Sequence, residues 1–141
     1  FLADDAILDT QGMLRQLEQA AGDWNIAYAN DGHWGAQLPT MPCLGGELVR
    51  AVGTLAPGNL EHWAIDTAWG ELGKRLGNLA YREDLTYTHL NPVWGTAPDD
   101  PTYIASRARS FGWQDLLRAW MVGGGMQAAI NRVTDAQRIA A

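Results

Sequence analysis

Two adjacent carboxylates stand near the start of this sequence, where Asp4 and Asp5 directly follow the apolar run "FLA". That run favours a short strand, and the carboxyl ends of strands form the ligand-binding edge of an open α/β sheet. Carboxylate oxygens at such an edge suit a divalent cation such as Mg²⁺ or Mn²⁺. The alternative is structural, with one of the two residues capping the loop that leads to a helix at Asp9.

Two further residues lie where acid–base or metal chemistry would need them. Asp66 is near the start of a predicted helix beside Trp69, and partial desolvation would raise the basicity of its carboxylate, as a general base requires. The alternative is an ordinary acidic residue of a first helical turn, which the helix dipole favours. His89 ends a predicted strand, where its imidazole could bind a metal, although a single histidine is more often structural.

Aromatic residues suggest where a sugar could bind, since the chain contains seven tryptophans. Sugars present apolar C–H faces that stack on aromatic rings, so Trp34, in a glycine-rich loop, and Trp94 are candidate sugar contacts. Asp31 precedes Trp34 and is a candidate donor contact, although an Asp-Gly turn explains it equally well. Helical spacing favours core positions for four other tryptophans, which are Trp63, Trp69, Trp113 and Trp120.

Composition limits the classes of function. The chain has 141 residues with 47% hydrophobic content and a net charge of −6, which fits one globular domain with its own core. Scattered basic residues argue against nucleic acid or an anionic membrane as the main partner. No apolar run approaches the roughly 18 residues of a membrane span. The single Cys43 excludes an internal disulfide and suits a reducing compartment, so we expect a cytoplasmic protein.

The elements that position these residues alternate between strands and helices, which predicts a mixed α/β fold. Alternation predicts strands over "WNIAYAN" and "YREDLTYTHL", with a short edge strand at "TMPCL". Helical spacing predicts helices over "DTQGMLRQLEQAAG", "GGELVRAVGTL" and "HWAIDTAWGELGKRLG". The first should have Asp9 or Thr10 as its N-cap and Met13, Leu14 and Leu17 on its inner face. From Asp100 onward the chain should be mostly helical, broken at residues 123–125.

The order of these motifs over residues 1–105 resembles glycosyltransferases of the GT-A fold, above all the bacterial and phage-associated branch related to family 2. That branch carries an acidic pair after a strand, a Pro-Thr turn, an Ala-Pro segment and a helix that opens with Asp near Trp. A strand ending in His-x-His-Pro, then Gly-Lys-Ala and Asp-x-x-Tyr, follow. The matching residues are Asp4, Asp5, Pro39, Thr40, Ala56, Pro57, Asp66, Trp69, His89, Pro92, Gly95, Ala97, Asp100 and Tyr103.

The resemblance implies metal-dependent transfer of a sugar from a nucleotide-diphosphate donor to an acceptor, with Mn²⁺ or Mg²⁺ as cofactor. Residues 1–105 would form the metal- and acceptor-side portion of a GT-A mixed sheet flanked by helices, and residues 106–141 a helical extension. The nucleotide-binding half of such enzymes lies before the acidic pair, so we expect this chain to be the C-terminal part of a longer enzyme. The donor, the acceptor and the stereochemical outcome stay open.

The resemblance also assigns roles to individual residues. It makes Asp5 and His89 metal ligands, Asp4 a donor contact and Asp66 the general base. Three positions depart from the branch, since an acidic residue, the second His and the Lys are replaced by Thr88, Asn91 and Thr96. Altered donor choice or lost activity is therefore open, and the alternative function is a non-catalytic α/β interaction or assembly domain derived from such a transferase.

A partner is also expected. A GT-A sheet that begins at the acidic pair leaves a strand with unpaired backbone groups and an apolar face, to which Phe1 and Leu2 would contribute. We therefore expect a homo-oligomer, or a companion chain that covers this edge. The alternative is that the helices around Trp113 and Trp120 fold over it.

Overall fold

A computed structural model describes residues 5–60, 64–108 and 110–141. These residues form the expected mixed α/β fold. The strands are β1 (Ala6–Leu8), β2 (Ile26–Asn30), β3 (Cys43–Leu44) and β4 (Leu79–His89). The helices are α1 (Met13–Ala21), α2 (Gly46–Val52), α3 (Ile65–Leu76), α4 (Pro101–Ala108), α5 (Trp113–Val122) and α6 (Gly125–Ala140). Short 3-10 turns occur at Gly35–Gln37, Pro57–Asn59 and Pro92–Trp94.

The strands form one mixed sheet in the order β1-β4-β2-β3. β2 and β4 are parallel, with Ile26 opposite Leu79, whereas β1 pairs antiparallel with β4 and β3 antiparallel with β2. The two interior strands, β2 and β4, therefore end at the same edge of the sheet. This edge collects the candidate site residues.

Helices cover both faces of the sheet, which is why β2 is buried along nearly its whole length. On one face α1 packs against β2 and β4, and the buried residues there are Met13, Leu17, Ala21, Ala27, Ala29, Met41, Leu85 and Tyr87. On the other face α2, α3 and α6 share a second core, formed by Ile26, Leu48, Val52, Trp69, Leu72, Met126, Ala129 and Val133. The last helix thus belongs to the same hydrophobic core as α2 and α3.

Two glycines let α3 approach its neighbours closely. A Cβ atom on Gly73 would overlap the side chain of Leu79, at the start of β4, and would lie 2.9 Å from Ile26 Cδ1. A Cβ atom on Gly70 would lie 2.9 Å from Cδ of Pro39. Since real Cβ contacts are longer than this, α3 can take its position only because both residues lack a side chain.

The sequence predictions hold for β2, β3, β4, α2 and α3, and the chain does break between α5 and α6. The predicted N-cap of α1, Asp9 or Thr10, was wrong. The helix begins at Met13 after Gly12, which has φ +71°. The predicted cap Thr10 lies upstream, where its hydroxyl accepts a hydrogen bond from the Thr86 N–H of β4 at 2.9 Å. Leu14 was also wrongly placed, since it is 48% exposed.

The start of the chain differs from the prediction as well. The first described strand follows Asp5, and it forms because Ala6–Leu8 pairs with the end of β4. The predicted strand "FLA", together with Asp4, lies outside the described residues, as does Trp63. Among the helices that the structure describes, none has both the length and the apolar character needed to cross a membrane.

Candidate active site

The topology brings four predicted site residues to one edge of the sheet. Asp31 directly follows β2 and His89 ends β4, so the two parallel strands deliver them to the same side. Ala6 pairs with His89 across the antiparallel β1–β4 ladder, which places Asp5 beside that histidine. Asp66 lies in the first turn of α3. Only two residues separate this helix from the start of β4, so α3 runs back across the sheet and begins near the carboxyl edge.

Asp5 and His89, the two predicted metal ligands, are in direct contact. Asp5 Oδ2 lies 3.2 Å from His89 Nε2 and accepts a hydrogen bond from the Tyr103 hydroxyl at 3.0 Å. A carboxylate can only accept, so His89 Nε2 carries the proton of this bond. The Nδ1 atom of His89 is buried, and no hydrogen-bond partner for it occurs among the described residues. The imidazole and Tyr103 therefore both orient the carboxylate of Asp5.

Trp94, a predicted sugar contact, lies between two histidines. The His33 ring is stacked on it, with centroids 4.1 Å apart and an interplanar angle of 21°. The His89 ring meets it edge-on, with centroids 5.1 Å apart and an angle of 83°. The loop after β2 and the turn after β4 therefore touch next to His89, and one face of Trp94 is occupied by His33.

Asp31 organises the loop that follows β2, here called the Asp31 loop (residues 31–37). The residue is 3% exposed, and its Oδ1 accepts the backbone N–H groups of His33, Trp34 and Gly35 at 2.8–3.0 Å. Its Oδ2 accepts a hydrogen bond from the Thr40 hydroxyl at 3.0 Å. Both oxygens are thus engaged by the protein, which matches the turn alternative for this residue, while the loop leaves Trp34 44% exposed.

Tyr87 is a site residue that the sequence reasoning missed. It is 3% exposed, and its hydroxyl forms a short hydrogen bond with the hydroxyl of Thr40. Burial raises the pKa of Tyr87, and although the bond to Thr40 lowers it, the negative charges of Asp31, Asp66 and Asp5 raise it further. Three predicted site carboxylates therefore act on one neutral phenol. The available signal was strand alternation, which puts Tyr87 and His89 on the same face of β4.

Asp66 keeps its position through the start of α3. Ala64, immediately before the helix, has φ +66° and is the one described non-glycine residue with a positive φ, a conformation that costs about 1–2 kcal/mol. Asp66 Oδ1 accepts the Thr67 N–H at 2.6 Å and lies 3.2 Å from the Thr67 hydroxyl. The side chain of Trp69, as predicted, is core: it is fully buried, and its indole N–H donates to the Leu55 carbonyl at 2.9 Å.

The three residues that depart from the expected motifs all form local hydrogen bonds. Thr88 donates its hydroxyl to Asp9 Oδ2 at 2.9 Å, on the β1 side of β4. Asn91 Oδ1 accepts the Val93 N–H at 2.9 Å and so caps the 3-10 turn that carries Trp94. The Thr96 hydroxyl accepts the Asn91 N–H at 2.7 Å and donates to the His89 carbonyl at 2.6 Å. Asn91 and Thr96 therefore fix the turn after β4, whereas Thr88 links β4 to the segment after β1.

The donor set for a metal is small. No cluster of three or more His, Cys, Asp or Glu side chains suited to a metal occurs in the part of the chain that the structure describes. Asp5 supplies a carboxylate that Mg²⁺ and Mn²⁺ favour, and His89 lies within hydrogen-bonding distance of it. Magnesium is commonly held by one or two carboxylates together with substrate phosphates and water, so Asp5 would hold a cation only with the help of a diphosphate.

Comparison with known proteins finds no family model that matches this chain, and no match among curated proteins or solved structures.

Proposed function

We propose that this chain carries the metal- and acceptor-side site of a glycosyltransferase of the GT-A type, which transfers a sugar from a nucleotide-diphosphate donor. The observation that carries the proposal is the contact between Asp5 and His89, residues 84 apart in the chain that meet at the carboxyl edge of the sheet. Trp94 meets His89 at this contact, and Asp31, Asp66 and Asp5 all act electrostatically on the neighbouring Tyr87. Separate segments thus supply an acidic, partly buried and aromatic-lined site.

The residues of the chain would divide the work as follows. Asp5 contacts the cation, while His89 and Tyr103 hold its carboxylate in place through the bonds at 3.2 and 3.0 Å. A bound Mg²⁺ or Mn²⁺ would neutralise charge on the departing diphosphate. Asp66 accepts the proton of the acceptor hydroxyl, whose oxygen forms the new bond to the anomeric carbon as the bond to the diphosphate breaks. Trp34, with its exposed ring, offers a stacking surface for a sugar.

The donor contacts and the cofactor can be tested without knowing the acceptor. Millimolar Mn²⁺, with and without UDP or GDP, should raise the melting temperature of the chain, because a ligand that binds only the folded state stabilises it. Asp5→Asn should abolish the rise, since an amide is a weaker ligand for a hard cation than a carboxylate.

Asp135→Asn is the matched control, because it makes the same change on the exposed surface of α6. This variant should retain the full rise in melting temperature. The absence of a rise in the unaltered chain at millimolar Mn²⁺ and nucleoside diphosphate would contradict the metal assignment. It would favour the non-catalytic α/β interaction domain.

A further inference from the structure

A chain of partly buried hydrogen bonds connects Tyr87 of β4 with the Asp31 loop. The Tyr87 hydroxyl bonds the Thr40 hydroxyl, which lies 3.0 Å from Asp31 Oδ2. Because Thr40 has one hydroxyl proton and Asp31 can only accept, Thr40 donates to Asp31 and Tyr87 donates to Thr40. The direction of every bond in this chain is thereby fixed.

The same loop is also attached to the site through its aromatic side chains. His33, whose backbone N–H is bound by Asp31, stacks on Trp94, and Trp94 meets the edge of His89. Tyr87 and His89 are two residues apart on β4, and their ring centroids are 6.5 Å apart. The loop is therefore connected to β4 twice, once through Tyr87 and once through His89.

We propose that Tyr87, Thr40 and Asp31 are positioning residues that hold the Asp31 loop in the conformation needed to select the acceptor. For its ligand, an acceptor whose sugar ring stacks on Trp34, this inference rests on the proposed function. A loop that carries an exposed aromatic ring can discriminate between ligands only if its backbone is held, and here Asp31 binds three successive N–H groups. Tyr87 and Thr40 fix the carboxylate that does so.

Thr40→Val tests the chain of bonds, because it removes the hydroxyl while keeping the branched shape. Amide hydrogen exchange at His33, Trp34 and Gly35 should become about fivefold faster or more, the effect of losing one hydrogen bond's stabilisation. The NMR signals of the His89 imidazole should shift as well, because His33 belongs to the loop and stacks on Trp94, the ring that meets His89. Thr40→Ser retains the hydroxyl and should restore both values.

Thr88→Val is the matched control. It makes the same substitution at the residue next to Tyr87, and it also removes a hydrogen bond from a hydroxyl to a carboxylate, here the carboxylate of Asp9. Thr88 takes no part in the Tyr87–Thr40–Asp31 hydrogen bonds. The exchange of the loop amides should not change in this variant. Tyr87→Phe should act in the same direction as Thr40→Val, and it provides the test if Thr40→Val does not fold.

Two results would overturn the proposal. One is faster exchange in α6 to the same extent as in the loop, which would indicate general destabilisation. The other is an unchanged His89 signal together with unchanged loop amides. These measurements require no metal, donor or acceptor, so their failure would leave the Mn²⁺ result standing, and a negative Mn²⁺ result would leave the hydrogen-bond chain intact.

Discussion

At the scale of single residues, Asp66 offers the most direct test of catalysis. Asp66→Asn should lower the rate of sugar transfer about 100-fold or more, because an amide cannot take the proton of the acceptor hydroxyl. Its oxygen can still accept the Thr67 N–H, so the start of α3 should keep its shape. The measurement is the steady-state rate with a nucleotide-sugar whose nucleotide stabilises the chain in the presence of Mn²⁺, alongside the affinity for that nucleotide.

Glu71→Gln serves as the control for Asp66, because it removes a carboxylate from the same helix, one that pairs with the exposed Lys74. Its transfer rate should equal that of the unaltered chain. If Asp66→Asn also retains its rate, Asp66 is not the general base. If it loses affinity for the nucleotide instead of turnover, the residue contributes to binding.

At the scale of elements, the packing of α3 against the sheet depends on glycine. Gly73→Ala should lower the free energy of unfolding by about 1–3 kcal/mol, because the added methyl group would overlap Leu79 and crowd Ile26. The higher helix propensity of alanine, about 1 kcal/mol, opposes this effect and does not relieve the overlap. Chemical denaturation of both proteins measures the difference.

The comparison for Gly73 is Gly46→Ala, at the exposed start of α2. There the nearest atom to an added Cβ is the end of the flexible Arg50 side chain, at 3.4 Å. The substitution should leave stability unchanged or raise it slightly. Equal changes in the free energy of unfolding at both positions would show that the close approach of α3 to the sheet does not require glycine at position 73.

Local patterns in the sequence predicted most of the regular elements, and contacts between distant residues explain what they missed. The strand β2 and the helix α3 have clear periodicities over whole elements, which arise from a buried face. The strand β1 has three residues and exists through its pairing with β4, which no local pattern records. Likewise, Tyr87 bonds Thr40 across 47 residues, and Thr40 in turn bonds Asp31. The sequence alone therefore left open whether Asp31 forms a turn or binds a ligand.

At the scale of the whole molecule, the edge of β1 is the expected contact surface. Ile7 and Leu8 are 51% and 38% exposed on this outer strand, and edge strands with exposed apolar residues pair with other chains. We expect the chain to self-associate through this edge at micromolar concentration. Ile7→Lys should make it monomeric, because a charged side chain opposes edge pairing. Sedimentation velocity measures both states.

Ile139→Lys is the appropriate comparison for this edge, because Ile139 is 87% exposed on α6, far along the chain from β1. It should leave self-association unchanged. A monomeric wild-type chain would rule out pairing through β1, and the companion chain would then be the partner to seek.

The place of β1 in the sheet also sets how long the Asp5–His89 contact lasts. Local opening of a folded protein begins at edges and short elements, and β1 is a three-residue edge strand, whereas β4 runs for eleven residues and is held by β2 as far as Thr86. His89 therefore stays with the durable part of the sheet, and Asp5 leaves with each opening of β1. Molecules with and without the Asp5–His89 contact therefore exchange within the native state. The lifetime of this contact equals the time for which the three residues of β1 stay paired with β4.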